Sequence, residues 1–236
     1  MTLPLFYGKP LEFSEARHTY KLGGVKLPGV TTICGLLDKP QLQWWAAGCA
    51  VDAIARGEAD PQKAYIRERM KAGQLGTAVH TAAVELLTTG HMMSPFPSVD
   101  RADPVQLANA FCALRAWHAA TQLQLIECER RVVSEELGYA GTADLWGIVN
   151  GQRAVLDFKT GGVYDDTWAQ PAGYELALRE ELKTDEPITH ILVHLDKKTG
   201  EYWQHVRSPS QTRAAKVLFK SLVATYYAKQ DMPKAA

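Results

Sequence analysis

Apolar positions along this chain repeat with two periods, three to four residues apart in some stretches and two in others. Val105 to Thr121 carries Leu107, Phe111, Leu114, Trp117 and Ala120 at the longer spacing, which predicts an amphipathic helix. Upstream, Pro40 opens a helical stretch through Trp44, Trp45 and Ile54, and another runs from near Pro61 to about Leu87; proline suits the first turn of a helix. His18 to Leu27 reads differently. There Gly23-Gly24 stands between short runs containing Tyr20, Leu22, Val25 and Leu27, the pattern of a tight hairpin whose turn needs positive φ. Met92 to Pro104, rich in proline and serine, predicts a surface loop.

From Gln124 the period shortens. Leu125-Ile126, Val132-Val133, Ala143 to Val149 and Ala154 to Phe158 predict strands, and Asn150-Gly151 joins the last two as a hairpin. Thr167 to Leu182 returns to helical spacing with Trp168, Tyr174, Leu176 and Leu178. Ile188 to Leu195 and Glu201 to Val206 predict strands on either side of Thr199-Gly200, and Ser210 to Ala228 closes as a helix burying Val217, Leu218 and Leu222. The order is helix, three strands, helix, further strands, which predicts a mixed α/β sheet flanked by helices. Residues 1–70 form an N-terminal hairpin and helical addition to a core over 71–236, and the lack of a long linker predicts one compact unit.

Composition narrows the partners. Lys+Arg and Asp+Glu number 26 each, so a nucleic-acid contact requires a local patch; Lys197, Lys198, Arg207, Arg213, Lys216 and Lys220 are the candidates. Trp44, Trp45 and Trp168 suit either stacking on bases or the core. No stretch reaches the roughly 18 apolar residues of a membrane span, and Met1-Thr-Leu-Pro-Leu-Phe6 lacks the layout of a secretory signal, so a cytoplasmic location without a membrane partner is expected. Cys34, Cys49, Cys112 and Cys128 form no C-x-x-C pair, which predicts reduced, mostly buried thiols.

The chemistry concentrates between Gly141 and Thr160. Asp144 begins one arm of the predicted hairpin and Asp157 ends the other, so two carboxylates return to the same end and can share a hard cation such as magnesium or manganese. Asp157 and Lys159 are two apart on a strand and share a face, while Phe158 points the other way into the core. An ammonium beside a metal-binding acid can stabilise a phosphorane-like transition state or help orient and deprotonate an attacking water. Taken alone, Asp-x-Lys is as compatible with an ordinary surface ion pair at a strand end.

Gly141-Thr-Ala-Asp144, Val155-Leu-Asp157-Phe-Lys159-Thr160 and Gln170-Pro-Ala-Gly-Tyr174 together resemble the PD-(D/E)xK nuclease superfamily, in its RecB-like and phage-type exonuclease branch. The resemblance implies a restriction-endonuclease-like core and a Mg2+- or Mn2+-dependent deoxyribonuclease. Asp144, Asp157 and Lys159 would be catalytic, and Asp144, Asp157, His80 of Gly76-Thr-Ala-Val-His80 and the Phe158 backbone carbonyl would bind metal, with Glu129 a weaker candidate. Gln170, Tyr174 and Thr160 would contact DNA or organise the site. Pro28-Gly-Val-Thr-Thr-Ile33 is similar to the opening of such exonucleases. The resemblance further implies a DNA substrate with a free end, a recombination or repair setting in a phage or bacterium, and a single-strand annealing or single-strand-binding protein as partner. All cysteines precede Gly138, so no iron-sulfur cluster is expected, and no Gly-Lys-Ser/Thr loop suggests a helicase motor. A structure-specific endonuclease and a catalytically silent DNA-binding or assembly protein are the alternatives.

Overall fold

The computed structural model describes residues 3–15, 17–92 and 103–232, so most of the loop expected between Met92 and Pro104 lies outside the described residues. Four short strands come first: β1 (Leu5–Phe6), β2 (Lys9–Ser14), β3 (Thr19–Leu22) and β4 (Val25–Leu27). They form one antiparallel sheet in that order. The β3–β4 hairpin turns at Gly23 and Gly24, both at positive φ, as their pairing predicts. The two strands before it carry too few alternating apolar residues to stand out in the sequence.

Helices α1 (Val30–Cys34), α2 (Pro40–Ala55), α3 (Ala64–Thr89, after a 3-10 turn at Pro61–Lys63) and α4 (Pro104–Ala120) follow. Asp103 caps α4 by accepting from the amides of Val105 and Gln106, and Pro104 occupies the first turn.

Strands β5 (Leu123–Ser134), β6 (Tyr139–Val149), β7 (Gln152–Lys159), β8 (Thr189–Leu195) and β9 (Tyr202–Arg207) make the second sheet, ordered as they occur in the chain. The two apolar patches expected before Ser134 belong to one strand, interrupted by a register shift between Leu125 and Glu127. Strands β5 to β7 are an antiparallel meander, whereas β7 and β8 are parallel. A parallel pair needs a crossover, which α5 (Ala169–Leu182, after a 3-10 turn at Asp165–Trp168) supplies. The final helix, α6 (Arg213–Asp231), starts three residues later than its apolar pattern suggests. This is the mixed α/β architecture that the chain's periodicities predict, with the helix and strand order of a restriction-endonuclease-like core.

Helices cover both faces of the second sheet. On one, Leu75, Val79, Ala83, Leu114 and Trp117 of α3 and α4 pack with Leu145, Leu156, Phe158 and Val193. On the other, Val30, Ile33, Ala172, Leu178, Phe219 and Leu222 of α1, α5 and α6 pack with Tyr139, Val155 and Leu192. Alternation in β7 follows: Ala154, Leu156 and Phe158 face α3 and α4, and Trp117 meets Phe158 edge-to-face at 5.1 Å. Asp157 and Lys159 therefore lie on the side of α5.

One expected core position moves. Val217 is exposed, and α6 buries Leu222 as expected together with Ala215, Phe219 and Val223, because the helix rolls Phe219 against Gly173 and Tyr139. The four cysteines are free but none is fully buried, and Cys112 is exposed. The small N-terminal sheet packs against the larger one: its Phe6, Leu11, Tyr20 and Leu22 meet Val133 and Ala140, and the Ala140 amide donates to the Pro28 carbonyl at 3.0 Å. No helix among the described residues is long and apolar enough to cross a membrane.

Candidate active site

The β6–β7 ladder runs from Val149↔Gln152 to Leu145↔Leu156 and stops there. Asp144 is the next residue on β6, where the two strands part. At this fork the Phe158 amide donates to Asp144 Oδ2 at 2.7 Å, so a carboxylate takes the N–H that β6 backbone no longer engages. The other oxygen, Asp144 Oδ1, faces His80 Nδ1 at 3.3 Å. His80 lies in the second half of α3, one turn beyond Gly76. A side chain at Gly76 would sit 3.9 Å from Thr160 Oγ1, which places the end of β7 beside this part of α3.

Glu129 completes the group. The pairs Cys128↔Leu145 and Arg130↔Ala143 leave it opposite Asp144, and its φ of +49° is unusual for a residue other than glycine inside a strand. Such a conformation costs of order 1–3 kcal/mol and persists only where the surroundings impose it. One ligand atom each from His80, Glu129 and Asp144 lie within 4.8 Å of one another.

Asp157 stands beside this trio and is completely buried. Its Oδ1 accepts from Gln170 Nε2 at 2.7 Å. Oδ2 has the Lys159 ammonium 2.5 Å away but makes no well-directed hydrogen bond. Gln170 ties the network together: its Oε1 accepts from Lys159 Nζ at 2.9 Å, and its Nε2 also donates to Tyr174 Oη at 3.0 Å. Gln170 and Tyr174 are one turn apart on α5, as helical spacing predicts. Gly141 lets this happen, since a Cβ there would come within 2.9 Å of Tyr174 and 2.8 Å of Val30.

Negative charge is in excess across the two clusters, around a fully buried Asp157 and an exposed Glu129. Burial, and behind it the Asp144 charge, lift the Asp157 carboxyl to about 6 against the pull of Lys159. Burial and Asp144 also raise Glu129. Burial works against a charged His80, yet Asp144, with Asp157 and Glu129 behind it, pushes its imidazole up to about 9. Lys159 likewise resists the cost of burial and is held above the ordinary lysine value by Asp157 and Asp144, so it acts here as a fixed cation rather than a base.

These residues fit a hard divalent cation: two carboxylates and an imidazole converge, and an adjacent buried carboxylate oxygen lacks a directed donor. Among the sequence-expected residues, His80, Glu129 and Asp144 are brought together most closely, whereas Asp157, Lys159, Gln170 and Tyr174 form the neighbouring network. Glu129, the weakest of the sequence candidates, sits in the trio, while Asp157 is turned toward Lys159 and Gln170.

A cleft of about 180 Å³ opens over the trio, and part of its wall comes from residues to which the sequence assigned no site role: His18, Tyr20, Val30 and Thr31 face His80, Glu129, Thr142, Asp144, Gln170 and Tyr174. The hairpin was legible, but nothing in its pattern says that it folds back over β6. The outlying basic residues divide. Lys216 is spent on Glu175 at 2.9 Å, and Arg207 lies over the Trp168 ring and near Asp165. Trp168 is buried, which removes it from base stacking, whereas Trp44 is 81% exposed.

The chain thus presents an α/β fold with an acidic, histidine-bearing site at a strand fork. No family model and no curated protein sequence matches it. Among solved structures, an alkaline exonuclease from Laribacter hongkongensis is similar over 69% of this chain and 97% of that one, at 12% identity and a TM-score of 0.28. A likeness at that level carries no argument about activity.

Proposed function

We propose that this chain is a divalent-metal-dependent deoxyribonuclease that hydrolyses phosphodiester bonds from a free DNA end. The observation that carries the reading is the convergence of His80, Glu129 and Asp144 within 4.8 Å beside the buried Asp157–Lys159–Gln170 network. His80, Glu129 and Asp144 would hold Mg2+ or Mn2+, with Asp157 and the Phe158 carbonyl as further donors. When bound, the ion supplies Lewis acidity and lowers the pKa of water. Lys159 places a positive charge where the phosphoryl oxygens gain negative charge, and Gln170 fixes both its ammonium and the Asp157 carboxylate. Tyr174 in turn orients Gln170, and Thr160, at the end of β7 near α3, is available to the phosphate. The N-terminal hairpin and α1, which wall the cleft opposite the acidic trio, suit a strand end better than an uninterrupted duplex. Recombination or repair in a phage or bacterium, with a single-strand annealing or binding protein, is the setting this activity suits.

Labelled linear and covalently closed DNA, single- and double-stranded, incubated with Mg2+ or Mn2+, test it. Loss of linear substrate alone is expected. Cutting of closed circles would replace end-dependence with a structure-specific endonuclease, and no cleavage with metal bound would reject the nuclease. Lys159→Ala should slow cleavage by about a hundredfold or more while DNA binding persists; retained turnover would remove its assigned role.

A further inference from the structure

The cleft has two unlike sides. One is the carboxylate-rich group of His80, Glu129 and Asp144; the other is formed by His18 and Tyr20 at the start of β3 together with Val30 and Thr31 of α1. A phosphodiester is an anion, and on the first side its charge would be met by the cation the trio holds and by Lys159. An outer oxygen turned away from them is open to a donor from the second side.

Three cleft-lining side chains carry nitrogen: His18, His80 and Gln170. His80 faces Asp144, and both ends of the Gln170 amide are engaged by Asp157, Lys159 and Tyr174. The His18 imidazole makes no hydrogen bond among the described residues and is solvent exposed. It is nevertheless held in place. The backbone at His18 has φ of +48°, and its amide donates to the Glu15 carbonyl at 3.3 Å. Its ring stands edge-on to Phe13 at 5.3 Å and to Tyr20 at 6.2 Å.

Tyr20 is the brace. Its ring is buried, and its hydroxyl shares a hydrogen bond of 2.9 Å with Thr142 Oγ1, two residues before Asp144 on β6. The turn that carries His18 is therefore tied to the strand that carries Asp144, and the two sides of the cleft are rigidly spaced.

Resting on the nuclease reading above, we infer that His18 is a substrate-contacting residue, which donates an imidazole N–H to a non-bridging oxygen of the scissile phosphodiester from the side opposite Asp144. The N-terminal sheet is then part of the catalytic machinery. The contact strengthens as negative charge builds on that oxygen, so its loss falls mainly on turnover rather than on DNA affinity.

Two substitutions separate the hydrogen bond from the packing. His18→Phe keeps a ring against Phe13 and Tyr20 but has no N–H, and His18→Gln keeps an N–H donor without the ring. Cleavage of labelled linear DNA in Mn2+ should show kcat/KM reduced about tenfold to a hundredfold in His18→Phe. His18→Gln should recover most of that loss, with thermal melting showing both variants folded at this left-handed position. Full activity in His18→Phe, or failure of His18→Gln to exceed it, would overturn the inference. A tenfold weaker Mn2+ affinity in His18→Phe, measured by calorimetry, would also overturn it by making His18 a metal ligand. Asp144→Asn is the control: inactive alongside an active parent, it leaves the nuclease reading standing whatever His18 does, whereas an inactive parent rejects that reading itself.

Discussion

Two buried carboxylates, one on helix α5 and one facing it, have opposite electrostatics. Glu175, on the helix itself, receives Arg179 Nε at 2.7 Å and Lys216 Nζ at 2.9 Å on one oxygen and His190 Nε2 at 2.7 Å on the other. Burial works against its charge, but these partners bring the carboxyl down to about 2. Asp157, facing the same helix from β7, is as deeply buried and is lifted to about 6. The difference lies in the neighbours. Glu175 is surrounded by donors, while Asp157 has one ammonium, one amide and further carboxylates beyond them. Burial alone does not decide whether an acid is a rivet or a receptor; the local balance of charge does. The Glu175 cluster is closed and joins α5, α6 and β8. The Asp157 cluster still has room for positive charge.

Breaking the closed cluster should have the largest effect. Glu175→Ala leaves Arg179, Lys216 and His190 without their acceptor and is expected to cost about 3–5 kcal/mol in urea unfolding. Asp157→Asn in metal-free protein should cost under about 1 kcal/mol, because its ionised form is disfavoured by folding. Equal losses in the two would erase the contrast.

Metal addition sharpens it from the other direction. Mn2+ at about a hundred times its Kd should stabilise the parent by about 2.7 kcal/mol, seen as a rise in Tm. His80→Ala and Asp144→Asn should lose that rise and His190→Gln should keep it. An undiminished shift in His80→Ala would exclude this site as the place of binding.

The two acids should also titrate stability in opposite senses. Glu175 is depressed, so its contribution is present above its ordinary value of 4.5 and is lost as pH falls toward about 2. His190 is depressed mainly by burial, so the folded state is favoured above 6.5, and that advantage is lost as pH falls below it. Asp157 is raised from 3.8 to about 6, so the folded state takes up its proton first and gains at this group as pH falls through that window. From about pH 7 to about pH 5, stability should fall more in Asp157→Asn than in the parent, and less in His190→Gln. Parallel curves for all three proteins would contradict these assignments.

The smallest effect concerns Glu129. Glu129→Gly removes a side chain from a left-handed backbone position and should stabilise metal-free protein by about 1 kcal/mol while weakening Mn2+ binding. A destabilised variant would mean that the carboxylate itself holds the strand.

Much of this was legible in the sequence because it is local. The Asn150-Gly151 turn brings Asp144 and Asp157 to one end, two-residue spacing puts Asp157 and Lys159 on one face, and four-residue spacing aligns Gln170 with Tyr174. The rest depends on relations that sequence spacing does not encode. Glu129 reaches Asp144 through a flipped backbone in β5, and its charged neighbours hide the register. His18 and Thr31 reach the cleft because the N-terminal sheet packs on Val133 and Ala140, more than a hundred positions away in the chain. Lys216 looked like a free basic residue until α6 was seen to aim it at Glu175.

The left-handed glutamate carries a consequence for the history of such a chain. Under the proposed nuclease function, a copy released from selection for cleavage would gain stability by exchanging Glu129 for glycine, without disturbing either core. A glutamate retained at this position is, on that reading, maintained against the drift that folding alone would favour, and its replacement in a descendant would mark the loss of the metal site.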